Sequence, residues 1–310
     1  MNKDKYFPIF SGILVSIIFG LSFIVTRGAL DSLTPLQLLG YRFTFAAIIL
    51  TILRWMRIIK VDLHNKKLKH LLLLVLFQPV LYFPLETAGV QLTSASQAGM
   101  MMGFIPVFTV ILEIPFFKNI PSWKQFLSIL LSAAGIIFIN TIKSDIGVSI
   151  NIWGIICLSG AIFSGAMYNI YSKKSSNLFT PAEITYLMMW AGTIVFNLIG
   201  LTQTLNQQTL GNYFTPLMQP GTLLSVLYLG ALSSVVAFFL LNYMLSKTNP
   251  SQTATYLNLT TVVAILGGVL LGGETFAWYH LVGGSMIIIG VWGTLWFGNR
   301  KKPTLQSIIS

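Results

Sequence analysis

Gln78, Tyr82 and Glu86 stand four residues apart in an apolar run. On a helix that spacing puts an amide, a phenol and a carboxyl on one stripe. Such a stripe could hydrogen-bond a polar solute or carry a proton. Pro79 and Pro84 interrupt the same run, so a kink is expected there. Arg42 is the matching cation in an earlier apolar run. It lies about two turns from the end of its run, ~10 Å at 1.5 Å per residue, and Glu86 about one turn from the end of its own. A lone charge in hydrocarbon costs at least ~2.5–3.5 kcal/mol. Arg42 and Glu86 are therefore expected to pair, as a structural ion pair or around a charged substrate or proton.

Other polar and aromatic candidates are Ser164, Tyr168 and Asn169, then Asn242 and Tyr243, then Tyr256, Asn258 and Thr260. Tyr256 and Thr260 share a helical face with Gln252. The corresponding line earlier in the chain is Gln97, Met101 and Ile105, beside Pro106. Methionines such as Met100 to Met102 suit an adaptable apolar pocket. Each group also has a plain reading as packing or interhelical hydrogen bonding. Glu113 reads as a side chain reaching the membrane interface, and His280 as an interfacial imidazole. Glu183 and the helix-start glutamines read as caps.

Hydrolytic, metal and nucleotide chemistry find little support. Cys157 is the single cysteine, so no disulfide or thiolate metal site forms within one chain. His-Glu-x-x-His and Gly-x-Ser-x-Gly patterns are absent, as is a facing pair of membrane aspartates. No Walker-A sequence is present, and the basic loops are too short for a nucleotide domain. The expectation is no catalytic residue, no metal and no cofactor, with an intramembrane enzyme as the remote alternative.

Long apolar runs must position these groups. Only 9% of residues are charged, and mean hydropathy is +0.77. Soluble domains carry about 25% charged residues, so an integral membrane protein is implied. A helix needs about 20 apolar residues to cross a ~30 Å core. Ten stretches qualify: Phe7–Thr26, Pro35–Ile58, Lys69–Val90, Ala95–Phe117, Trp123–Ile142, Ile150–Tyr171, Pro181–Leu201, Gly221–Leu245, Pro250–Leu271 and Phe276–Phe297. They lack alternation and are too long for tilted barrel strands, so the fold class is all-α. The outer stretch 202–220 is given no structure.

With the N-terminus inside, sixteen of the 19 Lys and Arg residues fall on inner segments, among them Arg54, Arg57, Lys66, Lys67, Lys173, Lys174 and Lys247. Only Arg27 and Lys143 fall at outer ends, and Arg42 lies within a span. This is the positive-inside asymmetry. It places both termini in the cytoplasm and accounts for the +11 charge without nucleic acid.

The chain also repeats itself. Residues 93–135 slide onto 248–290 without a gap, aligning Thr93, Ser96, Gln97, Val107, Trp123 and Gly135 with Thr248, Ser251, Gln252, Val262, Trp278 and Gly290. Thr34-Pro35 and Thr180-Pro181 each open a helix with Gln or Glu two residues after the proline, a capping-box pattern. Ser94 and Asn249 repeat the device. Five spans per half is odd, so the second half must be inverted relative to the first. The expected units are a five-helix repeat over 1–143, its inverted copy over 144–300, and a flexible cytoplasmic tail over 301–310. Small residues at helical spacing (Gly12, Ser16 and Gly20; Gly99 and Gly103; Gly268 and Gly272) let helices approach closely.

Ten spans in two inverted halves resemble the drug/metabolite transporter superfamily, in particular its EamA group. Similar local features are Gly20-Leu21-Ser22-Phe23, Thr34-Pro35 with Tyr41-Arg42-Phe43, and Ser96-Gln97-Ala98 with Pro106. Gly272-Gly273-Glu274 with Trp278, and the stretch Gly283 to Gly290, also fit. Where the family's first repeat often ends in Gly-Glu, this chain has Lys118-Asn119. The resemblance covers Phe7 to Gly298. It implies a central cavity lined by spans one, three, four, six, eight and nine, opened alternately to each side.

The expected function is secondary export of a small metabolite such as an amino acid across the plasma membrane. No nucleotide-binding subunit is expected, and the oligomer is a monomer or homodimer. Uptake or exchange carriers and a facilitative channel are the alternatives. Candidate cavity residues are Arg42, Gln78, Tyr82, Glu86, Met101, Tyr168, Asn169, Asn242, Tyr256, Asn258 and Thr260.

Overall fold

The computed structural model describes residues 3–64, 66–118, 120–144, 151–206, 213–271 and 276–298. Among these residues there is helix and no strand. In chain order the helices are α1 (Lys3–Ala29), α2 (Pro35–Trp55), α3 (Leu72–Leu92) and α4 in two pieces (Ala95–Met102 and Ile105–Phe117). Then come α5 (Trp123–Ser144), α6 (Ile152–Ser175), α7 (Pro181–Asn206) and α8 (Pro220–Lys247). Last are α9 in two pieces (Pro250–Tyr256 and Leu259–Leu270) and α10 (Trp278–Gly298). Eight, α1 to α4 and α6 to α9, are long and apolar enough to cross a membrane, and α5 holds a shorter apolar helix, Trp123–Ile139. Helix is what a lipid-embedded chain requires, because its backbone groups must be satisfied within the segment.

Caps set several helix starts. Thr34 and Gln37 form a reciprocal capping box at α2, and Thr180 and Glu183 another at α7. Ser94 accepts from the Gln97 amide at α4. At α9 the expected local cap is absent: the Asn249 side chain caps nothing. Instead the Glu113 carboxylate of α4 accepts from the Ser251 amide at 2.9 Å. Glu113, expected as an interfacial side chain, is 2% exposed and enclosed by protein. It satisfies an orphan donor at a helix N-terminus, where negative charge is favoured. His280 is likewise buried, and its Nδ1 accepts from the Ala277 amide at the start of α10.

Boundaries differ from the hydropathy reading. α2 stops at Trp55, where Arg57 adopts φ 59°. Leu68–Leu71 form a short 3-10 turn before α3. The stretch 202–220 holds structure at both ends: α7 runs to Asn206, and Thr215–Met218 make a 3-10 turn, while 207–212 lie outside the described residues. Tyr213 anchors it, its carbonyl accepting from the Tyr41 hydroxyl. Burial raises the Tyr213 phenol above its ordinary pKa. The Gly272-Gly273-Glu274 motif, the 145–150 linker and the 301–310 tail lie outside the described residues.

The two halves meet through matching contacts. α2 packs along α7, and α5 along α10. α1 packs on α9 as α6 packs on α4, α1 on α8 as α6 on α3, and α2 on α8 as α7 on α3. Exchanging the halves leaves this contact set unchanged, which is what a two-fold relation requires. Local irregularities repeat too. α3 carries a π-helical segment at Leu76–Leu81, and α8 one at Tyr228–Ala237. α4 breaks around Gly103 and α9 around Asn258, its repeat equivalent.

Small residues mark the closest crossings. Ser16 donates to the Tyr256 carbonyl at 2.9 Å, tying α1 to α9. A Cβ on nearby Gly20 would fall 2.5 Å from the Val263 Cβ and 2.9 Å from the Thr260 carbonyl oxygen. Gly135 and Gly290 do the same service between α5 and α10, each against backbone of the partner helix. The small-residue stripes of α1 and α4 are thus packing surfaces, with Gly12, Gly20, Gly99 and Gly103 each against a neighbouring helix; Gly272 lies outside the described residues.

Candidate functional site

The polar stripe of α3 faces the middle of the bundle. The expected kink is present: Gln78 sits at φ −150°, ψ 115° inside the π-helical segment. Below the kink Tyr82 donates to the Glu86 carboxylate at 3.0 Å. From α2, Arg42 donates Nε to Ser234 Oγ at 2.8 Å and Nη2 to Ser233 Oγ at 2.9 Å. Its guanidinium lies over the Phe83 ring, 4.5 Å from the centroid. Both charged side chains are buried, Arg42 at 4% and Glu86 at 9% exposure.

The expected Arg42–Glu86 ion pair does not form. A direct ion pair forms instead between Lys66 and Glu183, at 2.6 Å. Each membrane charge has its own support instead: two serines and a ring face for Arg42, a phenol for Glu86. Hydrogen bonds and cation–π contact compensate part of the desolvation of a guanidinium.

Arg42 and Glu86 line one shared cavity. Its volume is about 50 Å³, room for roughly three to five waters at ~10–15 Å³ each. In this state it is a narrow chamber. Gln78, Tyr82, Tyr168, Asn169 and Thr260 also line it. Asn169 donates to Thr109 at 3.3 Å, and Tyr168 to Asn242 at 2.7 Å. The Thr260 hydroxyl is buried and has no hydrogen-bond partner.

The other four candidates lie elsewhere. Asn242 is a fully buried hub, accepting from Tyr168 and Ser172 and donating to Thr185. Tyr256 packs its ring against Gly12 of α1. Asn258 donates to Ser132 of α5, and Met101 packs into the apolar cluster around Phe23 and Ala98.

The cavity wall also contains residues that polarity alone passes over. Phe19, Ser22 and Phe23 of α1 line it, and so do Gly165, Tyr168 and Asn169 of α6. The two sets are offset by a constant 146 positions. On α3 and α8, Gln78, Phe83 and Glu86 correspond to Ser233, Phe238 and Leu241 at an offset of 155, and all six line the cavity. Met102 and Ile105 correspond in the same way to Leu257 and Thr260. The chamber therefore sits where the two halves meet. Extending the repeat from 93–135 to the earlier helices would have exposed this. The charges break the symmetry: Arg42 and Glu86 both come from the first half, and the repeat counterpart of Glu86 is the apolar Leu241.

Comparison with known proteins agrees with this architecture. The model of the EamA-like transporter family matches residues 6–141 and 152–296. The chain belongs to the EamA-like transporter family. Among its relatives is the uncharacterized transporter YcxC of Bacillus subtilis (strain 168), 35% identical over 295 residues, 95% of each chain. A probable amino-acid metabolite efflux pump of Escherichia coli (strain K12) is 24% identical, covering 95% of this chain and 96% of its own. One solved crystal structure shares the fold at a TM-score of 0.72 and 12% identity, covering 95% of this chain and 99% of the other. As an EamA-like family member this is a multi-pass membrane protein of a transporter family.

Proposed function

We propose that the protein is a secondary exporter of a small metabolite such as an amino acid, working by alternating access through the central cavity. The observation that carries this is the cavity itself. It is built from equivalent positions of both halves and is lined by Arg42 and Glu86, two buried side chains of opposite charge that make no direct ion pair. A chamber between two halves can open to one side when they rock one way and to the other when they rock back. Its small volume in this state holds little more than water, so the halves must move to admit a solute. The name of the Escherichia coli relative supports the choice of amino acids and of outward flux.

In this reading ten helices span the plasma membrane, as inverted five-helix units over 1–143 and 144–300. Both termini are cytoplasmic, following the distribution of Lys and Arg. Arg42, Gln78, Tyr82, Glu86, Tyr168, Asn169 and Thr260 contact the solute. Met101, Asn242, Tyr256 and Asn258 hold the walls.

Counterflow in proteoliposomes tests it. Purified protein loaded with unlabelled amino acid should accelerate entry of the labelled one. A leak with no such acceleration would instead identify a channel, and no solute movement would defeat the transport reading.

A further inference from the structure

Why should a membrane protein bury two opposite charges beside one cavity and keep them apart? A direct ion pair would have satisfied both. Instead Arg42 is pinned by Ser233, Ser234 and the Phe83 face, and Glu86 by Tyr82. Arg42 uses only part of its donor set on these serines, and one Glu86 oxygen accepts from Tyr82. Both side chains line the cavity. A third residue stands beside them: Thr260, 5% exposed, lines the same space, and its hydroxyl is buried without a protein partner. Buried polar groups without partners are rare and call for an explanation. Gln78, Asn169 and Ser22 add polar groups to the wall, and its apolar part includes Phe19, Phe23, Phe238 and Leu257.

We propose that Arg42 and Glu86 read the two charges of one zwitterionic α-amino acid: the carboxylate at Arg42, the ammonium at Glu86, and a further hydrogen bond at Thr260. The proposal rests on the transport reading and gives its substrate class. A zwitterion supplies opposite charges a short distance apart and so satisfies both protein charges at once. A solute with one charge leaves the other protein charge desolvated and unpaired, which is the expensive outcome in a low-dielectric site. An uncharged solute leaves both. The apolar wall then takes the side chain. The cavity's backbone is nearly symmetric, but its charges are not, so the solute has one orientation.

The test is ligand-induced thermal stabilisation of the purified full-length chain, which needs no transport. Each of the common L-amino acids is screened first. The one with the largest shift is then compared with its amide, which keeps only the ammonium, and its deaminated acid, which keeps only the carboxylate. The expected result is at least tenfold weaker binding of both analogues to the unaltered protein. In E86Q the deaminated acid should gain on the amino acid, and in R42Q the amide should gain, because the unmatched charge has been removed. T260V should weaken amino-acid binding severalfold without changing the order of the analogues. Equal binding of amino acid, amide and deaminated acid would overturn the proposal, as would unchanged preferences in both charge variants. Should either variant fail to fold, the comparison on unaltered protein decides. Amino-acid binding with this discrimination but no counterflow would sink the transport reading and leave the charge assignment standing.

Discussion

Phe83 and Phe238 occupy equivalent positions in the two halves, and their rings touch, with centroids 5.7 Å apart and planes at 57°. Both line the cavity. This contact between repeat-related residues puts the chamber at the junction of the halves, where relative motion would be felt most. Phe83 also carries the Arg42 guanidinium on its face. Phe83→Ala is expected to lower exchange at least tenfold, and Phe238→Ala to lower it less, because only Phe83 supports a charge. Initial rates of counterflow, normalised to reconstituted protein, give the comparison.

Arg42 and its two serines should behave as one unit. Hydrogen bonds to charged groups contribute roughly 1.5–3 kcal/mol. Ser233→Ala with Ser234→Ala should reduce transport, and adding Arg42→Ala to that pair should cost clearly less than the sum of the separate losses. A cycle with strictly additive losses would show that the serines act independently of Arg42.

Asn242 ties α6, α7 and α8 together through Tyr168, Ser172 and Thr185. Interhelical hydrogen bonds in membranes average about 0.6 kcal/mol, so Asn242→Leu should cost roughly 2 kcal/mol for the three. The expected signature is a lowered unfolding midpoint in detergent. An unshifted midpoint would mean that the hub contributes specificity alone.

Crossing glycines make a sharper stability test. A Cβ at Gly290 would meet the Ser128 carbonyl oxygen at 2.5 Å, and one at Gly135 the Gly283 carbonyl oxygen at 2.6 Å. Backbone cannot step aside as a side chain can. Gly135→Ala and Gly290→Ala should each destabilise by about 1–3 kcal/mol through overpacking. Gly284→Ala, with open space around it, should be near neutral. Thermal unfolding of the three variants decides.

Orientation can be read chemically. In a chain with Cys157 replaced by Ser, Lys67→Cys should react with an impermeant thiol reagent only from the cytoplasmic face. Met218→Cys, at a position 83% exposed, should react only from outside. Labelling of both from one face would overturn the topology.

Much of this protein is legible from its residues in order. Apolar runs of membrane length demand helices, because lipid offers the backbone no partner. Pro79 announces the kink in α3, and the Thr34 and Thr180 boxes appear where the chain says they should. The duplication shows in the 155-residue register, and the basic residues mark an expected inner face. These features are local or compositional, so no knowledge of neighbours is needed.

What faces what is a different matter. Tyr256 and Thr260 share a stripe on an unbroken helix, as do Met101 and Ile105. In the folded chain Thr260 and Ile105 line the cavity, while Tyr256 packs on α1 and Met101 joins an apolar cluster. The reason is the break at Gly103 and Asn258, which falls between the members of each pair and changes the direction of the stripe. Residue counting puts Arg42 and Glu86 at comparable depth, yet Arg42 turns to Ser233 and Ser234 of the other half. Glu113 caps a helix 138 residues away. Depth along a span follows from counting residues, but rotation about its axis and the choice of partner come only from packing the two halves together.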